Sequence, residues 1–334
     1  MFIFNAVKKF ICLIISTYFL FMPFERTELG TAHYFTPPAS VFMAQNKGIP
    51  LVAAHRSGKG AAPENTLKAV EECIKTTDTP IDMFEIDIQI TKDGELVLYH
   101  SLYLDENSDA AEYFGKKNIT VFSKNYSDLH NLNMGEQFEH GGSYPYKGLR
   151  GADIPNDLRM LKLDDFFNYL EEQGVLQKYL YSIEIKYPFP WGPSMVDKLY
   201  TILAARGLTG KAVIGSYWAD VTKYIDTHYS GKLNRFASIM ECLDLYRSYY
   251  FGEDLSKADI PYIALSLPYY EDDGYFLASN CGNADFIEYA HRYGISACYW
   301  TVDTDSDIRN LAAAGADVLM SDNAAHTYRI IHGS

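Results

Sequence analysis

The chain has 334 residues, of which 48% are hydrophobic and 15% aromatic, so it can bury a sizeable core in one large domain or two small ones. Its formal net charge is −14, from 29 basic and 43 acidic side chains, which makes it unsuited to binding nucleic acid. If it binds phosphate, a cation or a few well-placed Arg and Lys side chains must reverse the local potential.

The N-terminus has the pattern of an export signal. The pair Lys8-Lys9 precedes an uncharged apolar run, Phe10–Phe24, which is shorter than the roughly 20 residues that span a bilayer. We interpret residues 1–32 as a secretory signal peptide with Gly30-Thr31-Ala32 as its cleavage site, or as a membrane anchor, or as a buried helix. The first two alternatives predict an exported protein that is periplasmic, extracellular or membrane-anchored facing outward. Residues 33–49 are predicted to be a linker.

From residue 50 onward, strand-like apolar runs alternate with segments of helical period. This alternation predicts a parallel sheet with helices outside it. The nine strand candidates are Leu51–Ala54, Met83–Ile90, Leu96–Tyr99, Leu180–Ile185, Ala212–Ser216, Phe236–Met240, Tyr262–Leu267, Ser296–Val302 and Val318–Ser321. Helical segments fill most gaps, as at Leu163–Glu172 and Asp285–Tyr293.

Nine strands are one too many for an eight-stranded barrel, and the short connection Thr91–Gly94 accounts for the excess. Four turn-forming residues can join antiparallel strands, whereas parallel strands need a crossover of a dozen or more residues. Leu96–His100 should therefore fold back along Met83–Ile90 as a hairpin. Eight parallel strands remain, so residues 50–332 are predicted to form an α/β protein, a (β/α)8 TIM barrel with a small cap insertion at about 101–160.

The hairpin predicts where one histidine lies. If Ile90 pairs with Glu95, then Glu85 is opposite His100, and Glu85 and Asp87 share one face of the strand. His100 should then lie beside both carboxylates. A slip of one residue in the register would break this arrangement.

Acidic side chains recur in two strands. Glu85 and Asp87 stand in an apolar strand, and Glu184 and Lys186 repeat the spacing in a later one. Carboxylates in apolar surroundings require a cation or a basic partner. Three acids from two strands form an oxygen-rich site suited to Mg²⁺ or Ca²⁺. The alternative is a buried ion-pair network, with Glu184 bonded to Lys186 or Glu85 to Arg56.

Other candidates are individually weak. His55 and Arg56 follow the first strand, at the end where barrel enzymes place their active sites, or they form a solvated surface pair. Trp300 ends a strand and either packs in the core or walls a pocket. Asn65 is predicted to be the N-cap of the first helix. Four cysteines outside the apolar run match no zinc pattern, and a disulfide pairing is not predictable: Cys73, Cys242, Cys281 and Cys298.

Taken together, these motifs resemble the glycerophosphodiester phosphodiesterase family. The matching stretches cover roughly residues 50–325 in the family's order: His55–Gly58, Pro63–Thr66, Phe84–His100, Ser182–Lys186, Trp300–Val302 and Gly315–Asp322. Two positions depart from the family's pattern. Ser57 stands where Gly is usual, and Ser101 stands where Asp is usual.

The resemblance implies metal-dependent hydrolysis of glycerophosphodiesters to glycerol 3-phosphate and an alcohol. The cation, Mg²⁺ or Ca²⁺, would be held by three acids: Glu85, Asp87 and Glu184. Two imidazoles would serve as general base and general acid, in an order that the sequence leaves open: His55 and His100. The substrate would contact three further side chains: Arg56, Lys186 and Trp300.

Two alternative functions stay open. A lysophospholipase D-like or phospholipase C-like barrel would act on lipid substrates such as lysolipids. A non-catalytic surface barrel would use the same cleft for binding alone, and the two departures at Ser57 and Ser101 are its only support. The oligomeric state is not predicted by the sequence.

Overall fold

A computed structural model describes four ranges of the chain: 40–44, 48–75, 81–269 and 281–333. The predicted signal peptide or anchor, residues 1–32, lies outside these ranges, as does part of the predicted linker. Across the part of the chain that is described, no helix is long and apolar enough to span a bilayer.

The described residues form nine strands in one sheet. The strands are β1 (Leu51–Ala54), β2 (Met83–Ile90), β3 (Leu96–Leu98), β4 (Leu180–Ile185), β5 (Ala212–Gly215), β6 (Asn234–Arg235), β7 (Ala264–Pro268), β8 (Ser296–Trp300) and β9 (Val318–Ser321). Eight of them are parallel, in the order β6-β5-β4-β2-β1-β9-β8-β7. A parallel bridge from Phe236 to Ala264 joins the two ends. The predicted (β/α)8 TIM barrel is therefore confirmed.

Among the described residues, eight helices follow the parallel strands and pack outside the sheet, and two short helices lie in the insertion after β3. They are α1 (Leu67–Lys75), α2 (Ala110–Tyr113), α3 (Tyr126–Leu129), α4 (Leu163–Glu172), α5 (Trp191–Ala205), α6 (Ala219–Tyr229), α7 (Ile239–Phe251), α8 (Ala284–Arg292), α9 (Asp305–Ala314) and α10 (Ala324–His332). Apolar side chains of the helices, such as Phe166 and Leu199, are fully buried with strand residues such as Ile183. This layer is the main core.

The strand predicted at Phe236–Met240 is wrong. The structure has β6 at Asn234–Arg235, and α7 already begins at Ile239. The Oγ of Ser238 accepts a hydrogen bond from the N–H of Glu241, and the Glu241 carboxylate accepts one from the N–H of Ser238. This capping box starts a helix in the middle of the predicted strand.

The hairpin of β2 and β3 is present, but its predicted register is wrong by one residue. Ile90 pairs with Leu96 rather than Glu95. The N–H of Thr91 donates to the carbonyl of Glu95 at 2.9 Å, so Thr91 belongs to the ladder. Only three residues form the loop, and the last of them, Gly94, has a φ of 87°, as a three-residue hairpin loop requires.

The corrected register removes the predicted pairing of Glu85 with His100. Asp87 and Tyr99 continue the ladder, with the N–H of Tyr99 donating to the carbonyl of Asp87 at 3.0 Å. The chain has already left β3 at Leu98. His100 therefore reaches the cleft from a loop, and its position depends on contacts described below.

The amino-terminal end of the barrel, here called the floor, is closed by apolar side chains. Phe42, within the segment interpreted as a linker, is fully buried there. It packs with interior residues of several strands: Ala53, Met83, Val213, Cys298 and Met320. The insertion that follows β3 has a small core of its own, which includes Leu104, Val121, Leu129, Leu132 and Met160.

Candidate active site

Polar side chains converge at the carboxyl-terminal end of the barrel, here called the mouth. They stand in or directly after neighbouring parallel strands: His55 after β1, Glu85 and Asp87 in β2, Glu184 in β4, Lys186 after β4, and Asp322 after β9. Because the strands are parallel and adjacent, these positions share one end of the barrel. The two-residue spacing within β2 and β4 points the acids and the lysine to the same face.

Three carboxylates meet in the mouth. Oxygen atoms of Glu85, Asp87 and Glu184 all lie within 4.8 Å of one another. Glu85 and Asp87 are buried, and Glu184 is half-buried. Burial and the neighbouring charge of Asp87 hold the pKa of Glu85 well above its usual range. Burial also raises the pKa of Glu184, although Lys186 opposes the shift.

Basic groups contact two of these acids, so part of the ion-pair alternative is present. Lys186 Nζ lies 3.1 Å from Asp87 and 2.9 Å from Glu184. Burial disfavours the charge of Asp87, but Lys186, His100 and Arg56 together hold its pKa well below its usual range. Glu85 differs, because its bond comes from a neutral donor, the backbone N–H of Arg56 at 2.8 Å. Three acids therefore face two permanent cations, Lys186 and Arg56.

Arg56 connects the acids to a histidine and to the cap. Its guanidinium donates to Glu64 at 2.9 Å and to His100 Nε2 at 3.0 Å, and lies 4.0 Å from Asp87. The other Glu64 oxygen accepts from Asn107 of the insertion at 2.9 Å. Glu64 and Asn107 were not among the residues predicted from the sequence, since neither stands at the end of a strand.

The prediction of Asn65 as an N-cap is wrong. Thr66 does the capping, since its Oγ1 accepts from the N–H of Ala69 at 3.3 Å just before α1. Asn65 has a φ of 55°, and its side-chain amide donates to Asp87 at 2.9 Å. The left-handed backbone of Asn65, which Asn tolerates better than most residues, thus turns the start of a helix toward the acids.

His55 is held by a carboxylate. Its Nδ1 lies 2.5 Å from Asp322, and its Nε2 lies 4.0 Å from Glu85. Burial disfavours the charge of Asp322, but the bonds with His55 and Lys59 lower its pKa to about 2. Asp322 was not among the predicted site residues, although it ends the matched stretch Gly315–Asp322. Its place one residue after the last strand, at the same end of the barrel as His55, is the signal that could have identified it.

His100 lies in a contrasting environment. Burial lowers its pKa to about 3; the charge of Asp87 opposes this shift, whereas the charges of Lys186 and Arg56 add to it. Because a guanidinium can only donate, His100 Nε2 is the acceptor in its bond with Arg56. The structure therefore holds His100 neutral, with its remaining proton on Nδ1.

Trp300 is the last residue of β8 and lies half-buried on the same side of the barrel. It packs against the interior cluster that includes Cys298 and Met320. Both alternatives for Trp300, core residue and pocket wall, are compatible with this position. Of the eight predicted site residues, the other seven form one connected set of contacts: His55, Arg56, Glu85, Asp87, His100, Glu184 and Lys186.

Departures from the family's pattern have structural consequences. Ser57 has a φ of 63°, a backbone conformation that Gly adopts without strain and Ser does not. Ser101 accepts from Asn107 through its Oγ at 3.3 Å, and its carbonyl accepts from Gln89 at 2.8 Å. Ser101 therefore fits the site through its hydrogen bonds, whereas Ser57 is accommodated with backbone strain. Among the described residues, all four cysteines are free.

Comparisons with known proteins agree with this geometry. A model of the glycerophosphoryl diester phosphodiesterase family matches residues 55–326. A glycerophosphodiester phosphodiesterase of Caldanaerobacter subterraneus subsp. tengcongensis is 23% identical over 274 residues, which are 82% of this chain and 94% of the relative. A putative glycerophosphoryl diester phosphodiesterase from Silicibacter pomeroyi has the same fold, with a TM-score of 0.65, 18% identity and coverage of 87% and 96% of the two chains.

A second solved structure is that of a phosphodiesterase from Oleispira antarctica in complex with the product sn-glycerol-3-phosphate. It has a TM-score of 0.61 at 17% identity, and the match covers 85% of this chain and 97% of that one. The family model covers most of the chain and includes every residue of the mouth. The chain therefore belongs to the glycerophosphoryl diester phosphodiesterase family and is a phosphoric diester hydrolase.

Proposed function

We propose that this protein hydrolyses glycerophosphodiesters to glycerol 3-phosphate and an alcohol, with a divalent cation held by Glu85, Asp87 and Glu184. The observation that carries the proposal is the convergence of these three carboxylates, within 4.8 Å of one another, between two histidines in different environments. A binding barrel without catalysis has no need for such an arrangement.

The donor set fits a hard divalent cation. All three ligands offer carboxylate oxygen, which Mg²⁺ and Ca²⁺ prefer. Burial, with the neighbouring charge of Asp87, raises the pKa values of Glu85 and Glu184, and a bound cation would oppose both shifts. A cation bound there would supply positive charge against the phosphate oxygens as negative charge develops on them.

We assign the role of general base to His55. Since the Asp322 carboxylate accepts a hydrogen bond from the Nδ1–H of His55, Nε2 carries the lone pair and faces the acids. Nε2 can take a proton from an attacking water or hydroxyl, and Asp322 stabilises the resulting imidazolium. Asp322 acts through His55 and is therefore a positioning residue.

We assign the role of general acid to His100. In the free protein Arg56 occupies its Nε2 and keeps the ring neutral. A bound phosphodiester would attract the guanidinium of Arg56 and add negative charge near the ring, and both changes favour protonation of His100. The protonated ring can then donate to the leaving alkoxide. Lys186 and Arg56 would hold the phosphate oxygens, Lys186 as a point charge.

The test is product identification with purified protein and glycerophosphocholine, with Mg²⁺ or Ca²⁺ added. ³¹P NMR should show glycerol 3-phosphate, and choline should appear in equal amount. Choline phosphate as the product would mean that the other phosphoester bond is cut, as in a phospholipase C-like reaction. Absence of any product with either cation would favour the non-catalytic binding barrel.

A further inference from the structure

Exposed apolar side chains gather in one sector of the mouth. Of the eleven large hydrophobic side chains that are exposed among the described residues, five stand within five residues of the carboxyl-terminal ends of β4, β5 and β6. We call these five the mouth patch: Phe189, Tyr217, Trp218, Ile239 and Met240. Because these strands are consecutive in the barrel and neighbouring strands lie about 5 Å apart, the loops after them are neighbours on the rim.

The mouth patch is fixed in place by the loops that carry it. The N–H of Phe189 donates to Asp220 of α6 at 2.5 Å, which ties the loop after β4 to the loop after β5. The phenyl ring of Phe189 is nevertheless 73% exposed. Grouped apolar side chains held out into solvent mark a surface that meets another apolar phase.

This surface is continuous with the active site. The indole Nε1 of Trp218 donates to the carbonyl of Lys186 at 3.0 Å. The Nζ of Lys186 also lies 6.0 Å from the ring centre of Tyr217. Tyr and Trp are the side chains that favour the boundary between lipid and water. If a lipid layer contacted the mouth patch, its boundary with water would therefore lie beside Lys186, the lysine proposed to bind phosphate.

Charge restricts which lipid surface fits. The net charge of −14 disfavours approach to an anionic bilayer. Asp220 and Glu241, the acids nearest to the mouth patch in the chain, are engaged with the backbone of Phe189 and with Arg235. A zwitterionic phospholipid surface carries no net charge, so it does not repel the acidic protein when the mouth patch approaches it.

The sequence provides a second link to a membrane. The apolar run Phe10–Phe24 is interpreted as part of a signal peptide, a membrane anchor or a buried helix, and as an anchor it would hold the chain at a membrane. Residues 25–39 can span at most about 50 Å when extended, whereas a strand of eight residues such as β2 is only about 26 Å long. A chain anchored by this run can therefore still turn its mouth toward the bilayer.

We propose that the mouth patch seats the barrel on a zwitterionic phospholipid surface. The consequence for catalysis rests on the proposed function: phosphodiesters that carry an acyl chain, such as lysophosphatidylcholine, would be presented at that surface. The seating itself can be measured without turnover, so the two proposals can fail separately.

Trp quenching by brominated phosphatidylcholine vesicles tests the seating in the full chain, which has three Trp residues. We expect the wild type to be quenched and Trp218→Phe to lose most of the quenching, because only a seated mouth brings Trp218 into the bilayer. Quenching that persists in Trp218→Phe, or its absence in the wild type, would overturn the proposal. A dimer without lipid that dissociates in the double variant Phe189→Ser/Met240→Ser would also overturn it, since a second copy would then cover the patch.

The same double variant tests the consequence for substrate. We expect its kcat/KM to fall about tenfold or more on lysophosphatidylcholine micelles, since two apolar contacts with lipid are lost, and to stay unchanged on glycerophosphocholine. The matched control is Tyr250→Ser, because Tyr250 is 57% exposed at the opposite end of the helix that carries the 54% exposed Met240. An equal loss on both substrates would contradict the proposal. Hydrolysis of neither substrate, with Trp218 quenching as expected, would refute the proposed function and leave the seating intact.

Discussion

The floor and the mouth of the barrel are built from the same strands but differ in what the strands place inside. Side chains two residues apart on a strand face the same way. The pairs are Met83 and Glu85 within β2, Ala53 in β1 with His55 directly after it, and Met320 in β9 with Asp322 directly after it. One step of two residues thus separates a packed apolar layer from a cluster of titratable groups.

The floor therefore serves the stability of the fold, and the mouth serves the chemistry. The floor buries apolar side chains, with Phe42 inserted among them, and burial of this kind stabilises the fold. The mouth buries carboxylates that repel one another and holds Arg56, Ser57 and Asn65 in left-handed backbone conformations. Such groups cost free energy and are expected at a site where they serve a reaction.

The largest effect should come from the mouth histidines. His55→Ala and His100→Ala should each lower kcat for glycerophosphocholine by about 10²-fold or more, as expected for general acid–base groups. The matched control is His291→Ala, because His291 pairs with Asp317 at 2.7 Å on the floor side of the barrel. Steady-state kinetics of the three variants measure this effect. A loss of activity in the His291 variant as large as in the other two would contradict the contrast between floor and mouth.

A smaller loss is expected for the group that orients His55. Asp322→Asn should lower kcat by about tenfold to 10²-fold with little change in KM, because the ring loses its anionic partner but the cation ligands remain. Asp305→Asn is the control, since Asp305 bonds His326 at 2.8 Å and takes no part in the proposed mechanism. A rise in KM with unchanged kcat would mean that Asp322 serves substrate binding instead.

The same pair predicts a pH effect on stability. The pKa of Asp322 is lowered to about 2, below the value of about 3.9 for an unperturbed Asp. Its stabilising contribution is therefore present above pH about 4 and is lost as the pH falls toward 2. Urea unfolding over this interval should show the wild type losing stability relative to Asp322→Asn. Parallel curves for the two proteins would contradict the stabilisation of the Asp322 carboxylate by His55 and Lys59.

Removing one of the repelling acids should stabilise the mouth. Without added cation, Glu85→Gln should raise the Tm by about 2 °C or more, since its amide oxygen can still accept from Arg56 while the carboxyl group whose ionisation is opposed by burial is gone. The rise in Tm that Mg²⁺ or Ca²⁺ gives the wild type should disappear in this variant. Thermal unfolding measures both effects, and the exposed Glu172→Gln is the control. A lower Tm would mean that Glu85 is ionised and well paired.

The smallest effect concerns backbone strain. Ser57→Gly should stabilise the protein by about 1 kcal/mol, because Gly accepts the positive φ of this position without steric cost. Ser57→Ala retains the strained backbone and removes only the hydroxyl, so it serves as the control. Chemical denaturation that ranks Ala above Gly would attribute the cost to the buried hydroxyl rather than to the backbone.

Much of the barrel was predictable because most of its strands have a recognisable sequence pattern. The bounds of β1, β2, β4 and β9 agree with the prediction, since each is a short apolar run between turn signals. β6 was missed because it consists of two polar residues. Its Arg235 is buried through bonds to Asp226 and Glu241, partners that no local pattern reveals.

The chemical identity of the site was predictable, but its geometry was only partly so. The two-residue spacing of Glu85 and Asp87 placed both acids on one face, and the acidic cluster is where that reasoning put it. The neighbourhood of His100 was predicted for the wrong reason, because the register depends on whether Thr91 joins the ladder. The contact of Asp322 with His55 required the closed barrel, which brings together residues 267 positions apart. The contact of Asn65 with Asp87 required the left-handed backbone of Asn65.

The account depends most on the cation at the three carboxylates, and anomalous diffraction from crystals grown with Mn²⁺ tests it most directly. We predict a single strong peak in the mouth, within about 2.0–2.6 Å of an oxygen from each of Glu85, Asp87 and Glu184. A peak bound elsewhere, or an empty mouth with Lys186 still bonded to Asp87 and Glu184 at saturating Mn²⁺, would contradict it.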